Sequence, residues 1–126
     1  MTYFYVKTIR MVQSKTGLFE RKLAEKAIFF KALSHPARIR ILQLLSETKS
    51  CITGDISDDL PLGRTTVNQH LKELKQAGLI QGHIDGVKTK YCLNPEKINE
   101  FKQKLINLKN TLNTFYFWLT VQLALP

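Results

Sequence analysis

Residues 60–79 set Arg64, Thr65, Thr66, Asn68, Gln69 and Lys72 around a stripe of Val67, Leu71 and Leu74 that recurs at helical spacing. Hydroxyls, amides, one guanidinium and one ammonium are the groups that hydrogen-bond base edges and phosphate oxygens. Glu73 is the only acid among residues 64–76. A helix face that is merely solvated carries Glu, Lys and Asp instead. The pattern therefore reads as a helix that packs on one side and reads nucleic acid on the other.

Composition agrees. The 126 residues hold 19 Lys and Arg against 10 Asp and Glu, a formal charge of +9. Such an excess draws a polyanion through counterion release, although by itself it carries no sequence information and would attract an anionic membrane equally. With 44% hydrophobic and 10% aromatic residues the chain is expected to be globular. A chain of this length forms one domain, with extensions, and buries roughly two-thirds of its unfolded surface.

The elements that must position the reading helix follow from apolar spacing and from helix-breaking residues. Leu23, Ala27, Phe30 and Leu33, with Phe19 and Ile28 nearby, predict an amphipathic helix over residues 18–33. Ser34-His35-Pro36 ends it and opens a second helix, in which Ile39, Ile41, Leu42, Leu44 and Leu45 are expected to be largely buried. Between Cys51 and Leu60 a third, short helix is expected, capped by Thr53 or Gly54, with Asp55 in its first turn and Ile56 and Leu60 facing inward. Pro61-Leu62-Gly63 is the break. Two helices joined by a tight glycine-containing turn, the second with a polar outer face, form a helix-turn-helix.

Gly78 closes the reading helix, and a β-hairpin follows with Asp85-Gly86 as its expected two-residue turn, pairing Ile84 with Val87. Alternation then places Ile80, Ile84, Val87, Thr89, Tyr91 and Leu93 on one face of this wing and Gln81, His83, Lys88 and Lys90 on the other. Asn94, Pro95 and Glu96 open a last helix. Along it Ile98, Phe101, Leu105, Leu108, Leu112, Phe115 and Leu119 alternate spacings of three and four, the seam of a helix that packs along another helix. The seam outruns the small core, so a second subunit is its expected cover. The fold class is thus mainly α with a small β-hairpin: a winged helix-turn-helix dimerising through its terminal helices. It divides into an N-terminal extension (1–15), the DNA-binding domain (16–94) and a dimerisation helix (95–126).

Leu33-Ser-His-Pro-Ala-Arg-Ile-Arg-Ile-Leu-Gln-Leu-Leu45 and Thr65-Thr-Val-Asn-Gln-His-Leu-Lys-Glu-Leu-Lys-Gln-Ala-Gly-Leu-Ile80, in that order and spacing, resemble the ArsR-type winged-helix repressors. The resemblance spans about residues 18–110. It implies a homodimer that binds an imperfect palindrome in double-stranded promoter DNA and usually represses a neighbouring operon until an effector releases it. The positions matching the family's reading helix are Arg64, Thr65, Thr66, Asn68, Gln69 and His70, with Lys72, Lys88 and Lys90 expected on phosphates.

Relatives that sense arsenite or soft metals carry a Cys-x-Cys pair where this chain has Cys51-Ile-Thr53, and a hydroxyl is a poor ligand for a soft ion. Zinc-sensing relatives place ligands on the C-terminal helix, whereas His35, His70 and His83 all precede it. No metal site and no cofactor are therefore expected. The segment 1–10 makes a poor secretory signal, which predicts a cytoplasmic protein in which Cys51 and Cys92 are reduced thiols rather than a structural disulfide. They remain candidates for a thiol sensor, because Cys51 lies near a helix N-terminus and basic residues flank Cys92. Small buried thiols without a sensing role are the competing account.

No phosphate-binding glycine loop, metal-binding His-Glu-x-x-His run or nucleophile elbow supports an enzyme. Asp55, Asp58 and Asp59 are explained by helix-dipole stabilisation. The apolar run 115–126 is too short to cross a bilayer, which needs about 20 residues. The alternative reading is a winged-helix protein-docking module without specific DNA binding.

Overall fold

The computed structural model describes residues 17–48, 51–53 and 56–124. The expected extension over residues 1–15, the Gly54 cap and Asp55 lie outside the described residues. In chain order the elements are α1 (Arg21–Ala32), α2 (Pro36–Glu47), β1 (Ile52–Thr53), a 3-10 turn (Ile56–Asp59), α3 (Arg64–Gln76), β2 (Ile80–Asp85), β3 (Lys88–Leu93) and α4 (Pro95–Ala124).

The core sits where α2, α3 and the sheet meet. Ile41, Val67, Leu74, Leu79 and Ile80 are its fully buried side chains, and Phe29, Leu45, Ile56, Leu71 and Phe101 close around them. Ile56 and Leu60 point inward as expected, although the segment carrying Ile56 is a 3-10 turn and residues 52–53 form a strand instead of a helix cap. In α2, Ile41, Leu44 and Leu45 are buried and Leu42 half-buried, while Ile39 stays exposed. His35, rather than Ser34, caps α2: its Nδ1 accepts the Ala37 N–H at 3.1 Å, and Pro36 supplies the first helical residue without an N–H to satisfy.

Both ends of α3 are fixed locally. Gly63 precedes it in an extended conformation, after the break at Pro61. At the other end Gly78 adopts a φ of 82°, and the Gly78 and Leu79 N–H groups return to Lys75 O (3.0 Å) and Leu74 O (3.1 Å). This Schellman closure satisfies the last carbonyls and turns the chain into β2.

The antiparallel sheet has the order β1-β3-β2. The expected hairpin turn is corrected here: Asp85 pairs with Lys88 and Ile84 with Thr89, so the two loop residues are Gly86 and Val87, with Gly86 at a φ of 64°. The partner strand slips by two residues, and an even slip preserves side-chain alternation. The face assignments therefore survive for every strand residue, and only Val87 leaves its face for the exposed loop.

In α1 the core-facing residues are Phe29 and Ala32, whereas Leu23 and Ile28 are exposed. Phe29 and Phe30 meet Phe101 of α4 at ring-centroid distances of 5.7 and 6.1 Å, and Lys104 reaches Glu25 at 3.6 Å. Asn94 Oδ1 accepts the Lys97 N–H at 3.3 Å and opens α4 as expected. Beyond Lys104 every described residue of the helix is exposed. Its 30 residues would span about 45 Å, far more than the domain beneath it.

Leu74 is 0% exposed. Leu74→Ala is expected to lower unfolding stability by about 2–5 kcal/mol, and Val87→Ala on the exposed loop by less than about 0.5 kcal/mol. Urea denaturation followed by far-ultraviolet circular dichroism checks both.

Candidate nucleic-acid interface

The amphipathic pattern of α3 becomes a surface. Val67, Leu71 and Leu74 are at most 3% exposed, while Arg64, Thr65, Thr66, Asn68, Gln69 and Lys72 are all exposed. Gln69 donates through Nε2 to Glu73 Oε1 at 3.3 Å, one turn along, which restrains the amide on the outer face. The first turn of α3 holds no acid, and its N-cap, Gly63, offers no side-chain cap. Its N-terminus therefore presents partial positive charge beside Arg64, Thr65 and Thr66, a combination suited to phosphate oxygens.

The wing adds a second basic element. Lys88 and Lys90 are exposed, and the register aligns Lys90 with His83 on β2 and with Thr53 on β1. Alternation puts Gln81, His83, Lys88 and Lys90 on the sheet face opposite Ile80, Tyr91 and Leu93, which pack against the core.

His70 does not join this surface. It is 8% exposed, and its ring lies against His35 with centroids 4.2 Å apart. Arg38 Nε donates to His70 Nδ1 at 3.3 Å, while Arg38 Nη1 donates to the carbonyls of Lys31 (3.2 Å) and Ala32 (3.3 Å) at the end of α1. His70 is therefore corrected from a DNA contact to a buried link between α3, α2 and α1. Burial, then the adjoining His35 and Arg38, hold its imidazole below the ordinary value of 6.5, with Glu73 opposing them. Sequence reasoning missed Arg38 and gave His35 no partner, because their contacts with His70 join segments more than 30 residues apart.

The cysteines are also corrected. Cys51 and Cys92 form a disulfide, with Cα atoms 4.4 Å apart, where reduced thiols were expected. Ile52 pairs with Tyr91 and Thr53 with Lys90, so continuing that register sets Cys51 opposite Cys92. Alternation puts the pair on the same sheet face as Lys90, away from the core. The missing signal was β1: without that strand nothing brings the two cysteines together.

Comparison with known proteins gives a consistent picture. A family model described as "Bacterial regulatory protein, arsR family" matches residues 35–81. Rv0081 of Mycobacterium tuberculosis, an uncharacterized HTH-type transcriptional regulator, is 40% identical over 75 residues, 60% of this chain and 66% of its own length. The transcriptional repressor SdpR of Bacillus subtilis is 33% identical over 81 residues, 64% of this chain and 89% of its own. An ArsR-like transcriptional regulator from Rhodococcus sp. RHA1 superposes with a TM-score of 0.61 at 24% identity, covering 81% of this chain and 94% of that one, a likeness of fold.

Because the folded protein disfavours protonated His70, the unfolded chain binds more protons below its ordinary value of 6.5. The His70 contribution to stability is thus fully present above pH 6.5 and is lost as pH falls through the lowered folded value. Urea midpoints between pH 8 and pH 5 are expected to fall less for His70→Gln than for the natural protein, since a glutamine carbonyl accepts the Arg38 bond without titrating.

Proposed function

The chain belongs to the ArsR family of bacterial regulatory proteins, and on that premise we propose that it is a cytoplasmic, homodimeric, sequence-specific DNA-binding repressor of a neighbouring operon. One observation carries this reading: α3 buries Val67, Leu71 and Leu74 and leaves Arg64, Thr65, Thr66, Asn68, Gln69 and Lys72 exposed beside a wing bearing Lys88 and Lys90. Arg64, Asn68 and Gln69 are the base-reading side chains, supported by Thr65 and Thr66, because guanidinium and amide groups make the bidentate contacts that distinguish bases in the major groove. Lys72, Lys88 and Lys90 sit on phosphates and supply affinity without sequence preference. SdpR, itself a repressor, supports the direction of control.

The second copy is argued from uncovered surface. Leu105, Leu108, Leu112, Phe115 and Leu119 of α4 are 37–60% exposed, and Phe19, Leu23 and Ile28 near or on α1 are more than half exposed. A monomer rarely leaves so continuous an apolar strip open to water. Pairing of the terminal helices about a two-fold axis covers it and sets two reading helices on the half-sites of an imperfect palindrome.

The effector is assigned to the Cys51–Cys92 pair, as a thiol-based sensor. Disulfides of cytoplasmic proteins are usually transient, catalytic or redox-sensing. Closing this one transfers two electrons and two protons from the dithiol to a low-molecular-weight disulfide, which leaves as two thiols. The bond joins β1, just before the helix-turn-helix, to the wing strand that carries Lys90. Arsenite is not assigned, since Thr53 occupies the position of a second nearby thiol.

Fluorescence anisotropy on DNA from upstream of the protein's own gene, against a scrambled duplex, tests the reading. Arg64→Ala is expected to cost about 1–3 kcal/mol on the upstream duplex and to relax base preference, whereas Lys90→Ala weakens both duplexes alike and flattens the salt slope by about one unit. Equal affinity of the natural protein for both duplexes would favour a protein-docking module. Oxidised and reduced protein are expected to differ in affinity, and Cys51→Ser to bind alike in both conditions.

A sedimentation profile at micromolar concentration is expected to show a dimer that Leu112→Asp reduces to monomer. A monomer in the natural protein would remove the two-fold reading.

A further inference from the structure

The guanidinium of Arg38, on α2, joins three elements. Nη1 donates to the last carbonyls of α1, at Lys31 and Ala32, and Nε donates to His70 Nδ1 in the middle of α3. His35 completes the arrangement from the cap of α2. Its Nδ1 accepts the Ala37 N–H, so its ring is held in place while its face lies on the His70 ring 4.2 Å away. Thus α3 is fixed in two ways: apolar contacts under Val67, Leu71 and Leu74, which resist separation, and a directional bond at His70, which resists rotation and sliding.

We propose that Arg38 and His35 are positioning residues that hold the neutral imidazole of His70, and through it the reading helix, so that protonation of His70 releases this clasp and lowers discrimination among DNA sequences. The proposal rests on the DNA-reading function assigned above.

The charges around His70 support this coupling. His35 and Arg38 face it from α2, Glu73 lies one turn along α3, and Lys31 of α1 lines the same groove as Glu73. Only the neutral ring, with its proton on Nε2, offers Nδ1 as an acceptor to Arg38. A proton on Nδ1 removes that acceptor and sets an imidazolium against a guanidinium. The apolar stripe still holds α3 on the core, but its orientation loosens. Base contacts depend on orientation to within fractions of an ångström, whereas attraction to phosphates does not. Acid is therefore expected to weaken specific binding while leaving or strengthening binding to random DNA.

The test measures the ratio of affinities for a duplex selected from a random pool at pH 7.5 and for an unselected duplex, at fixed ionic strength, from pH 8 to pH 5. The natural protein is expected to lose about five- to tenfold in this ratio, within the limit of about tenfold per pH unit for one linked proton. His70→Gln, which keeps an acceptor for Arg38, and the same change made together with His83→Gln to silence the wing, are expected to lose less than about twofold. A flat ratio in the natural protein, or the same loss in His70→Gln, overturns the clasp.

A magnetic resonance titration of the imidazoles in the free protein separates this failure from failure of the DNA reading. Arg38→Gln is expected to raise the His70 midpoint towards 6.5. An unmoved midpoint overturns the clasp whatever the DNA measurements give.

Discussion

Everything functional in this molecule depends on which way α3 is rolled. A helix of 13 residues has one orientation that buries Val67, Leu71 and Leu74 together, and that orientation puts Arg64, Asn68, Gln69 and Lys72 in water. Rolling it by a quarter turn would bring amides and charges into an apolar interior at several kcal/mol each. Burial thus sets the roll to within the apolar stripe, and the bond from Arg38 to His70 holds it more finely. What burial leaves loose is displacement along the helix axis, because apolar contacts have no preferred direction. The directional restraints sit at the C-terminal glycine closure and at the bond from Arg38 to His70.

The same demand for burial accounts for the two surfaces left open. The three-stranded sheet has one face on the core, which frees the other for Lys88, Lys90 and the Cys51–Cys92 pair. The long α4 is anchored at its start by Phe101 and Lys104 and then carries its apolar seam beyond the domain. A domain of this size cannot build a core under 30 helical residues, so the seam calls for a helix of comparable length. In the proposed dimer a second copy supplies one in α4 itself.

Long-period patterns were legible in the sequence. The reading helix, the break at Pro61, the Gly78 closure and the Asn94 cap all lie within a few residues of the side chains that cause them, and each stands where it was expected. What was hidden depends on contacts between distant segments. The strand β1 is only two residues long and exists because β3 passes beside it. With β1 unseen, the cysteines read as separate thiols. In α1 apolar residues occupy more than one side, so spacing alone could not show that Phe29 faces the core and Leu23 faces water. The hairpin turn was misplaced because Asp-Gly is a strong local signal, yet the face assignments held through an even slip.

His70 shows why a reading helix can carry a residue that does not read. Its neighbours Asn68 and Gln69 are exposed and Leu71 is buried, so it falls on the seam between solvent and core. A hydrocarbon there would forgo the bond to Arg38, leaving Nε of that half-buried guanidinium without its acceptor, while a lysine would set a second cation against it. A neutral imidazole fits the seam: apolar enough to stack on His35, and able to accept one hydrogen bond on the side facing Arg38. The chain thus places a titratable group where orientation is decided and keeps it uncharged through its surroundings. The charged groups on either side of it, His35 and Arg38 from α2 and Glu73 from α3, then set the balance on which that neutrality rests.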